Sequence, residues 1–201
     1  MRTISVAVRP QVAEIILRVA GIVLVGGKST RFGSEKALHP IEGVAMGRHV
    51  ANAMFNAGIE DLYAIGPDQL IAAALGLAHI PDGFADEGPL GALITAMTSI
   101  DCDLLCAMPC DVPAIGSRHI LDLIEAASQD DCDVSVLTTD KPHWLCSTWK
   151  VGSCFDILRG QFDSGQRALH RSLDGLKVNY VDADPNALIN VNSESDIVDL
   201  S

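Results

Sequence analysis

The feature that most constrains the fold is an alternation of short apolar runs with helical stretches, which continues from near the start of the chain to about residue 129. The first run, residues 20–25, is almost wholly apolar and rich in β-branched side chains, as a strand buried on both faces should be. Similar runs predict further strands at residues 62–65, 78–80 and 104–108.

Helices are predicted around these strands, at residues 44–57, 68–75, 90–99 and 117–127. Gly58 is expected to end the first of them, and Ser117 to cap the last. Strands and helices that alternate in this way predict an α/β fold with a mostly parallel sheet and helices on both faces. Because ligands of such sheets bind beyond the carboxyl ends of the strands, the loops after Val25, Ile80 and Met108 are where chemistry is expected.

Beyond residue 131 the order of elements is looser. Strands are predicted at residues 133–137 and 145–150, and helices at residues 152–158 and 165–173. A strand end near Asn190 is expected to lead into a last helix, which is capped by Ser193 and reaches residue 200. A chain of 201 residues can bury one sizeable core, so a single domain is predicted over residues 19–201.

The charge balance excludes several classes of protein. Lysine and arginine number 14 and aspartate and glutamate 26, a net charge of −12 that argues against binding nucleic acid through its phosphates. No apolar stretch of about 18 residues is present, so no membrane span is predicted. Glu14 and Arg18 interrupt the apolar residues of the N-terminal segment, which therefore does not fit a signal peptide. Residues 1–18 are predicted to be an extension without an assigned role, and the location is predicted to be cytoplasmic.

Six cysteines could suggest disulfides or a metal site, but no Cys-x-x-Cys pair occurs and all six lie in apolar surroundings. They are predicted to be buried reduced thiols. These residues are Cys102, Cys106, Cys110, Cys132, Cys146 and Cys154.

The most informative stretch follows the first predicted strand and reads Gly26-Gly27-Lys28-Ser29-Thr30-Arg31-Phe32-Gly33-Ser34-Glu35-Lys36. It is not a P-loop, which needs a glycine, four residues, and then Gly-Lys followed by Ser or Thr. Gly21 and Gly26 have the correct spacing, but Gly27 stands where the motif needs lysine. Two adjacent glycines would let the backbone approach a base or a phosphate. Arg31 could then bind phosphate oxygens bidentately, with Lys36 as a point charge. The glycine pair alone is more typical of an ordinary surface loop.

Asp111 stands at the carboxyl end of the apolar run 104–108, between Pro109 and Pro113, which stiffen the backbone. This position suits a Mg²⁺ ligand, because Mg²⁺ binds one or two carboxylates together with phosphate oxygens and water. A turn or helix cap is the alternative role for this aspartate.

Several motifs in order along the chain resemble those of the molybdenum cofactor guanylyltransferases. They are Leu24-Val25-Gly26-Gly27 with Arg31-Phe32-Gly33 and Lys36, Ile80-Pro81-Asp82, Glu87-Gly88-Pro89-Leu90, Pro109-Cys110-Asp111-Val112-Pro113, Gly165-Gln166-Arg167 and Asn190-Val191-Asn192. The resemblance implies a Rossmann-like three-layer nucleotidyltransferase fold, with a nucleotide-binding half at about residues 19–130 and an acceptor half at about residues 131–201.

The same resemblance implies which residues form the site. Residues expected to contact GTP are Leu24, Val25, Gly26, Gly27, Lys36, Asp82, Gly88 and Asp111. The implied catalytic residues are Arg31, Lys36 and Asp111, with Mg²⁺ on Asp111. The acceptor, molybdopterin or the molybdenum cofactor, is expected near Gly165, Arg167, Asn190 and Asn192. Further expected partners are other proteins of molybdenum cofactor biosynthesis and apo-molybdoenzymes.

Three positions depart from the family pattern. The family usually reads Gly-Pro-Leu, one residue, then Gly, whereas this chain has Gly91-Ala92. The asparagine that many relatives carry after the second strand has no match in Gly66-Pro67-Asp68. The pair His143-Trp144 replaces the usual His-Pro or Pro-Val, so a surface or packing role is favoured for His143.

The expected reaction is attack by an acceptor phosphate oxygen on the α-phosphorus of GTP, with pyrophosphate leaving. One alternative is a cytidylyltransferase for the same cofactor or a transferase for another small phosphate. Gly26 favours guanine, since cytidylyl relatives tend to carry alanine there. A second alternative is a non-catalytic nucleotide- or cofactor-binding chaperone, against which the presence of Lys36 and Asp111 argues.

Overall fold

The computed structural model of this chain describes residues 17–26, 35–66 and 68–197. Within these ranges seven strands form one central sheet. They are β1 (Val19–Leu24), β4 (Asp61–Gly66), β5 (Ala78–Pro81), β6 (Leu104–Pro109), β7 (Val134–Thr138), β8 (Pro142–Lys150) and β9 (Val178–Asp182). A separate antiparallel hairpin joins β2 (Pro40–Ile41) to β3 (Val44–Ala45).

The strand order across the sheet is β5-β4-β1-β6-β8-β7-β9. We call β5, β4, β1 and β6 the parallel half, because every pairing among them is parallel. We call β8, β7 and β9 the mixed half, because β8 runs antiparallel to β6 and β7, whereas β7 and β9 are parallel. The carboxyl ends of all these strands except β8 therefore lie at one edge of the sheet, which also holds the start of β8.

Helices cover both faces of the sheet. They are α1 (Met46–Asn56), α2 (Gln69–Ala74), α3 (Pro89–Ser99), α4 (Ser117–Ala127), α5 (Val151–Asp163) and the short α6 (Glu194–Ile197). One apolar core joins α1, α2 and α4 to the sheet around Met54 and Leu123, and the other joins α3 and α5 to it around Ile94 and Trp149. Two helical layers around a mostly parallel sheet confirm the predicted α/β three-layer fold.

The helix predicted at residues 44–57 begins at Met46, because Val44 and Ala45 pair with β2 instead. Gly58 ends this helix as predicted: its φ is +91°, and the following amide of Ile59 donates to the carbonyl of Met54. The predicted cap at Ser117 is wrong. Gly116 holds the N-cap position, and its amide donates to Nδ1 of His119 at 3.3 Å.

The helix predicted at residues 165–173 is also wrong. Helix α5 is longer than predicted and continues to Asp163, after which Gly165 leaves the helix with φ +96°. Oε1 of Gln166 then accepts from the amides of Arg167 and Ala168, both at 3.0 Å, which holds the chain in a turn. Strand β9 was not predicted. The strand end expected near Asn190 is a loop, although α6 does begin directly after Ser193.

Arg18 lies inside the segment predicted to be an extension, yet it takes part in the sheet. Its carbonyl accepts from the amides of Asp103 and Leu104 at 2.8 and 3.1 Å, and its guanidinium pairs with Asp101 and Asp103. Residues 1–16 lie outside the described ranges. Among the helices that the structure describes, none is long and apolar enough to cross a membrane.

All six cysteines are buried and none is in a disulfide, which confirms the prediction of free thiols. Burial raises the pKa of Cys102 to about 11 and those of Cys106, Cys110 and Cys154 to about 12. Burial also raises the pKa of Cys132 and of Cys146. Because these thiols remain protonated at neutral pH, they are poor nucleophiles and poor metal ligands.

Candidate active site

The strands of the parallel half end at the same level, which brings their loops together. Leu24 lies beside Ile65 on one side and beside Pro109 on the other, and Ile65 lies beside Ile80. Backbone pairing continues past the strand ends, because the amide of Cys110 donates to the carbonyl of Leu24 at 3.2 Å. The loops after β1, β5 and β6 therefore adjoin, as the sequence predicts.

Lys36 connects three distant parts of the chain at this edge. Its Nζ donates to Oδ2 of Asp111 and to Oδ1 of Asn192, both at 2.7 Å. The side chains of Lys36 and Asp111 are only 16% and 19% exposed, so solvent screens this ion pair less than it screens a surface pair. We call Lys36, Asp111 and Asn192 the lysine cluster.

The lysine cluster is held by the backbone as well as by side chains. The amide of Val191 donates to the carbonyl of Asp111 at 2.9 Å, which fixes the C-terminal loop to the end of β6. Oδ2 of Asp196 accepts from the amides of Asn192 and Ser193 at 2.7 and 2.9 Å. A carboxylate in the first turn of α6 thus orients the asparagine that contacts Lys36.

The second carboxylate oxygen of Asp111 could bind a cation. Oδ1 is buried and has no hydrogen-bond partner among the described residues. Burying an anionic oxygen without a partner is unfavourable, and a bound cation would remove that cost. No group of three or more His, Cys, Asp or Glu residues suited to a metal occurs in the described ranges, but Mg²⁺ with phosphate oxygens and water needs only one or two carboxylates.

The glycine-rich loop is described only as far as Gly26. A Cβ placed on Gly26 would meet no atom of the described residues within 4 Å. Packing within the described part of the fold therefore does not require glycine at this position. Gly27 and Arg31 lie outside the described residues, so their predicted contacts with the nucleotide stay predictions.

Asp82 and Gly88 flank the loop that leads from β5 into α3. Oδ1 of Asp82 accepts from the amide of Phe84 at 3.0 Å, which shapes the turn after β5. Gly88 precedes α3 with φ +83°, a conformation that favours glycine. At the departure from the family pattern, a Cβ on Gly91 would come within 2.7 Å of Cβ of Phe84. Close packing of α3 on this loop therefore requires glycine at position 91.

The residues expected to bind the acceptor do not form one group. Asn192 belongs to the lysine cluster, and Asn190 is exposed. Gly165 and Arg167 lie at the end of α5, where a Cβ on Gly88 would be 3.8 Å from the carbonyl of Arg167. The loop of residues 165–168 therefore lies beside the start of α3.

Arg167 is held in place by several groups. Its guanidinium pairs with Glu87, donates to the carbonyls of Phe162 and Gln166 at 2.8 and 2.9 Å, and lies 3.9 Å from the ring centre of Phe162. An arginine already paired with a carboxylate and stacked on a ring is preorganised for an anion that displaces the carboxylate.

The contact of Asn192 with Lys36 escaped sequence reasoning, since the two residues are 156 positions apart and the resemblance placed Asn192 on the acceptor side. His143, for which a surface or packing role is favoured, is half-buried and contacts Thr139. Nε2 lies 3.1 Å from Oγ1 of Thr139, and burial, with the nearby charge of Lys141, lowers the pKa of the imidazole.

Named proteins resemble this chain over most of its length. A Bacillus cereus protein named "Probable molybdenum cofactor guanylyltransferase" is 26% identical over 190 residues, 89% of this chain and 94% of that protein. A Shewanella baltica "Molybdenum cofactor guanylyltransferase" is 26% identical over 182 residues, 88% and 92% of the two chains. The structure of "Molybdopterin-guanine dinucleotide biosynthesis protein A" from Archaeoglobus fulgidus superposes with a TM-score of 0.73 at 20% identity, covering 89% of this chain and 95% of that one.

The family described as "MobA-like NTP transferase domain" matches residues 21–177. This span runs from β1 to the residue before β9 and includes both Lys36 and Asp111. The resemblance drawn from the sequence motifs is confirmed, and the chain belongs to the MobA-like NTP transferase family.

Proposed function

We propose that this nucleotidyltransferase moves GMP from GTP to the phosphate of molybdopterin, forming the guanine dinucleotide cofactor and releasing pyrophosphate. The lysine cluster carries the proposal. A cation and a carboxylate, one of whose oxygens is buried without a partner in the described part of the chain, meet at the edge of the sheet where ligands of such folds bind. Relatives that align along nearly their whole length are named as molybdenum cofactor guanylyltransferases.

Charge neutralisation is the main requirement of this reaction. The acceptor phosphate is largely dianionic at neutral pH, because its second pKa is about 6, so no strong base is needed. Two anions must nevertheless approach each other on a protein whose own net charge is −12. Local cations and positioning therefore have to supply most of the catalysis.

Lys36 is suited to hold the triphosphate. An ammonium group has three donors, and two of them are directed to Asp111 and Asn192. The third can bind a phosphate oxygen while the first two keep the side chain in position. Arg31, in the glycine-rich loop, is proposed as a second phosphate-binding residue.

Asp111 is proposed to hold Mg²⁺ through Oδ1, the buried oxygen without a partner. The bound ion would neutralise charge on the reacting phosphates. Asp111 itself would also keep Lys36 oriented through Oδ2. The proposed acceptor side lies toward the mixed half and the loop of Gly165 and Arg167.

The nucleotide is proposed to be bound by the loops after β1 and β5. Leu24, Val25, Gly26 and Gly27 would pass beside the guanine, and Asp82 could accept from the base or the ribose with its second carboxylate oxygen. Gly88 would place the first amides of α3 toward an anion. Reduced thiols throughout are consistent with action in the cytoplasm.

Release of pyrophosphate from GTP in the presence of purified molybdopterin and Mg²⁺ tests this function directly. We expect release that requires both substrates, with CTP much less effective. Equal use of CTP would favour the cytidylyl alternative, and binding of nucleotide without release would favour the chaperone alternative.

The variant Gly26→Ala tests whether Gly26 selects guanine over cytosine. Because no described residue contacts a Cβ at this position, the variant should keep the melting temperature of the wild type. We expect it to raise the KM for GTP several-fold, about 1 kcal/mol of lost binding, and to narrow the preference over CTP. An unchanged preference in the folded variant would mean that Gly26 does not select the base.

A further inference from the structure

Two aromatic side chains of the mixed half are left unexplained by the site described so far. Trp144 of β8 and Tyr180 of β9 meet with ring centres 6.2 Å apart and an angle of 71° between the rings. Tyr180, on the edge strand β9, is 51% exposed, so part of its ring is open to a ligand. We call this pair the aromatic corner.

An irregularity in β8 produces the aromatic corner. Between the pairs Val136–Ser147 and Thr138–Pro142, β7 advances by two residues while β8 advances by five. Trp144 lies within the extra length, and its carbonyl accepts from Oγ of Ser147 at 3.0 Å. Bulges of this kind re-aim side chains at the rims of sheets and next to active sites.

The corner lies on the sheet face that α3 and α5 cover, near the edge that carries the lysine cluster. Tyr180 pairs in register with Val136, whose side chain belongs to the core of that face, and Trp144 packs against the same core. About half of Tyr180 remains exposed on this face.

The sheet order relates the corner to the reaction. Strand β8 neighbours β6 at about 5 Å, on the side away from β1. Counted from the last pair of these strands, Ala107–Ser147, Asp111 and Trp144 lie four and three residues further toward the same edge. GTP on the loops of β1 would thus approach Asp111 from one side, and an acceptor on the mixed half would approach it from the other.

We propose that the aromatic corner binds the planar pterin ring of the acceptor by stacking. The proposal rests on the proposed function, which supplies an acceptor with a flat heteroaromatic ring at one end and a phosphate at the other. In an edge-to-face pair, one ring points its edge at the face of the other. The partner ring therefore covers neither face of the ring that points its edge. Aromatic side chains that offer an open face are a general means of binding flat heterocycles.

Polar groups precede Trp144 closely in the sequence. Oγ1 of Thr139 donates to Oδ1 of Asp140 at 2.9 Å and lies 3.1 Å from Nε2 of His143, the residue before Trp144. A few polar groups near an aromatic surface are typical of small-molecule sites.

Variants that remove or keep a ring test the corner. We expect Tyr180→Ala and Trp144→Ala to raise the KM for molybdopterin about tenfold, as loss of one stacked ring does, with the KM for GTP unchanged. Tyr180→Phe and Trp144→Phe should stay within about threefold of the wild type, since each keeps a ring. Phe55→Ala is the matched control, because Phe55 is 61% exposed on α1, on the opposite face of the sheet.

A second readout does not depend on transfer of GMP. We expect 6-hydroxymethylpterin to quench tryptophan fluorescence saturably in the wild type and in Phe55→Ala, and about tenfold more weakly in Tyr180→Ala, which retains both tryptophans. Normal pterin binding and an unchanged KM for molybdopterin in folded Tyr180→Ala would overturn the proposal, as would an equal rise in the KM for GTP. A wild type that binds the pterin but transfers no GMP would overturn the proposed function and leave the corner standing.

Discussion

The parallel half and the mixed half of the sheet differ in how closely local sequence predicts them. In the parallel half all four strands lie within one residue of their predicted bounds. In the mixed half β8 begins three residues before its predicted start and β9 was not predicted. The helix predicted at residues 165–173 is reduced to a 3₁₀ turn at Leu169–Arg171.

Burial explains the difference for the central strands. Strands β1 and β6 are buried along most of their length and therefore read as continuous apolar runs. Strand β9 lies at the edge of the sheet and is nowhere fully buried, so its sequence, Val-Asn-Tyr-Val-Asp, carries no comparable signal. Strand β5, at the other edge of the sheet, is no better buried than β9 and was predicted from its short apolar run alone. The comparison teaches that the fold of the half proposed to bind the nucleotide is encoded locally, whereas the fold of the half proposed to bind the acceptor depends on contacts with its neighbours.

The largest effect is expected at the end of the parallel half. Asp111→Asn should lower the single-turnover rate of GMP transfer by about 100- to 1,000-fold, because the amide would bind Mg²⁺ poorly while the loops proposed to contact guanine stay intact. GTP affinity by calorimetry should change far less. Asp163→Asn, which alters an exposed carboxylate paired with Arg159, should leave both quantities unchanged. Near-normal transfer by folded Asp111→Asn would move the metal to another residue.

Lys36→Ala should differ in kind from Asp111→Asn. A cation that holds the triphosphate acts in the ground state and in the transition state alike, so GTP affinity and turnover should both fall, by about 10- to 100-fold. Lys150→Ala is the control, since that lysine binds the carbonyl of Gln129 at the opposite end of β8. A loss of turnover with unchanged GTP affinity would contradict ground-state binding by Lys36.

The variant Asn192→Ala tests whether the C-terminal loop contributes to turnover through its contact with Lys36. Loss of the 2.7 Å contact with Lys36 should lower kcat about three- to tenfold, which corresponds to the net contribution of about 1 kcal/mol that one hydrogen bond typically makes. Asn190→Ala removes an exposed asparagine two residues away. If Asn190→Ala raised only the KM for molybdopterin, the two asparagines would serve different substrates; if both variants did so, Asn192 would belong to the acceptor side as the resemblance implied.

The smallest effects are expected on stability, from one glycine variant in a helix of each half. In α3, Gly91→Ala places a Cβ within 2.7 Å of Phe84, which lies in the loop before the helix. This variant should lower the free energy of unfolding by about 1–3 kcal/mol. Gly160→Ala, in α5, meets nothing within 4 Å among the described residues and should raise it by up to about 1 kcal/mol. Denaturant unfolding measures both. A stable Gly91→Ala protein would mean that α3 can shift away from the loop.

Much of the candidate site was predictable because its residues directly follow apolar strands. The rule that ligands bind at the carboxyl ends of parallel strands pointed to the loops after β5 and β6. Asp111 was singled out by its position in the second of these loops, and Lys36 by the glycine-rich loop, whereas Asp82 needed the family resemblance. The turn of Gln166 could not be predicted, because its side chain competes with the helix for the next two amides.

The sequence by itself determined the α/β class, the parallel strands and the family, because these depend on hydrophobic period and on short motifs that act locally. Only the tertiary structure decided that Asn192 meets Lys36, that Trp144 meets Tyr180 across β7, and that Oδ1 of Asp111 is buried without a partner among the described residues. The two contacts join segments far apart in the chain. Their geometry depends on how strands register and bulge, and that is settled by packing of the whole sheet rather than by any one segment.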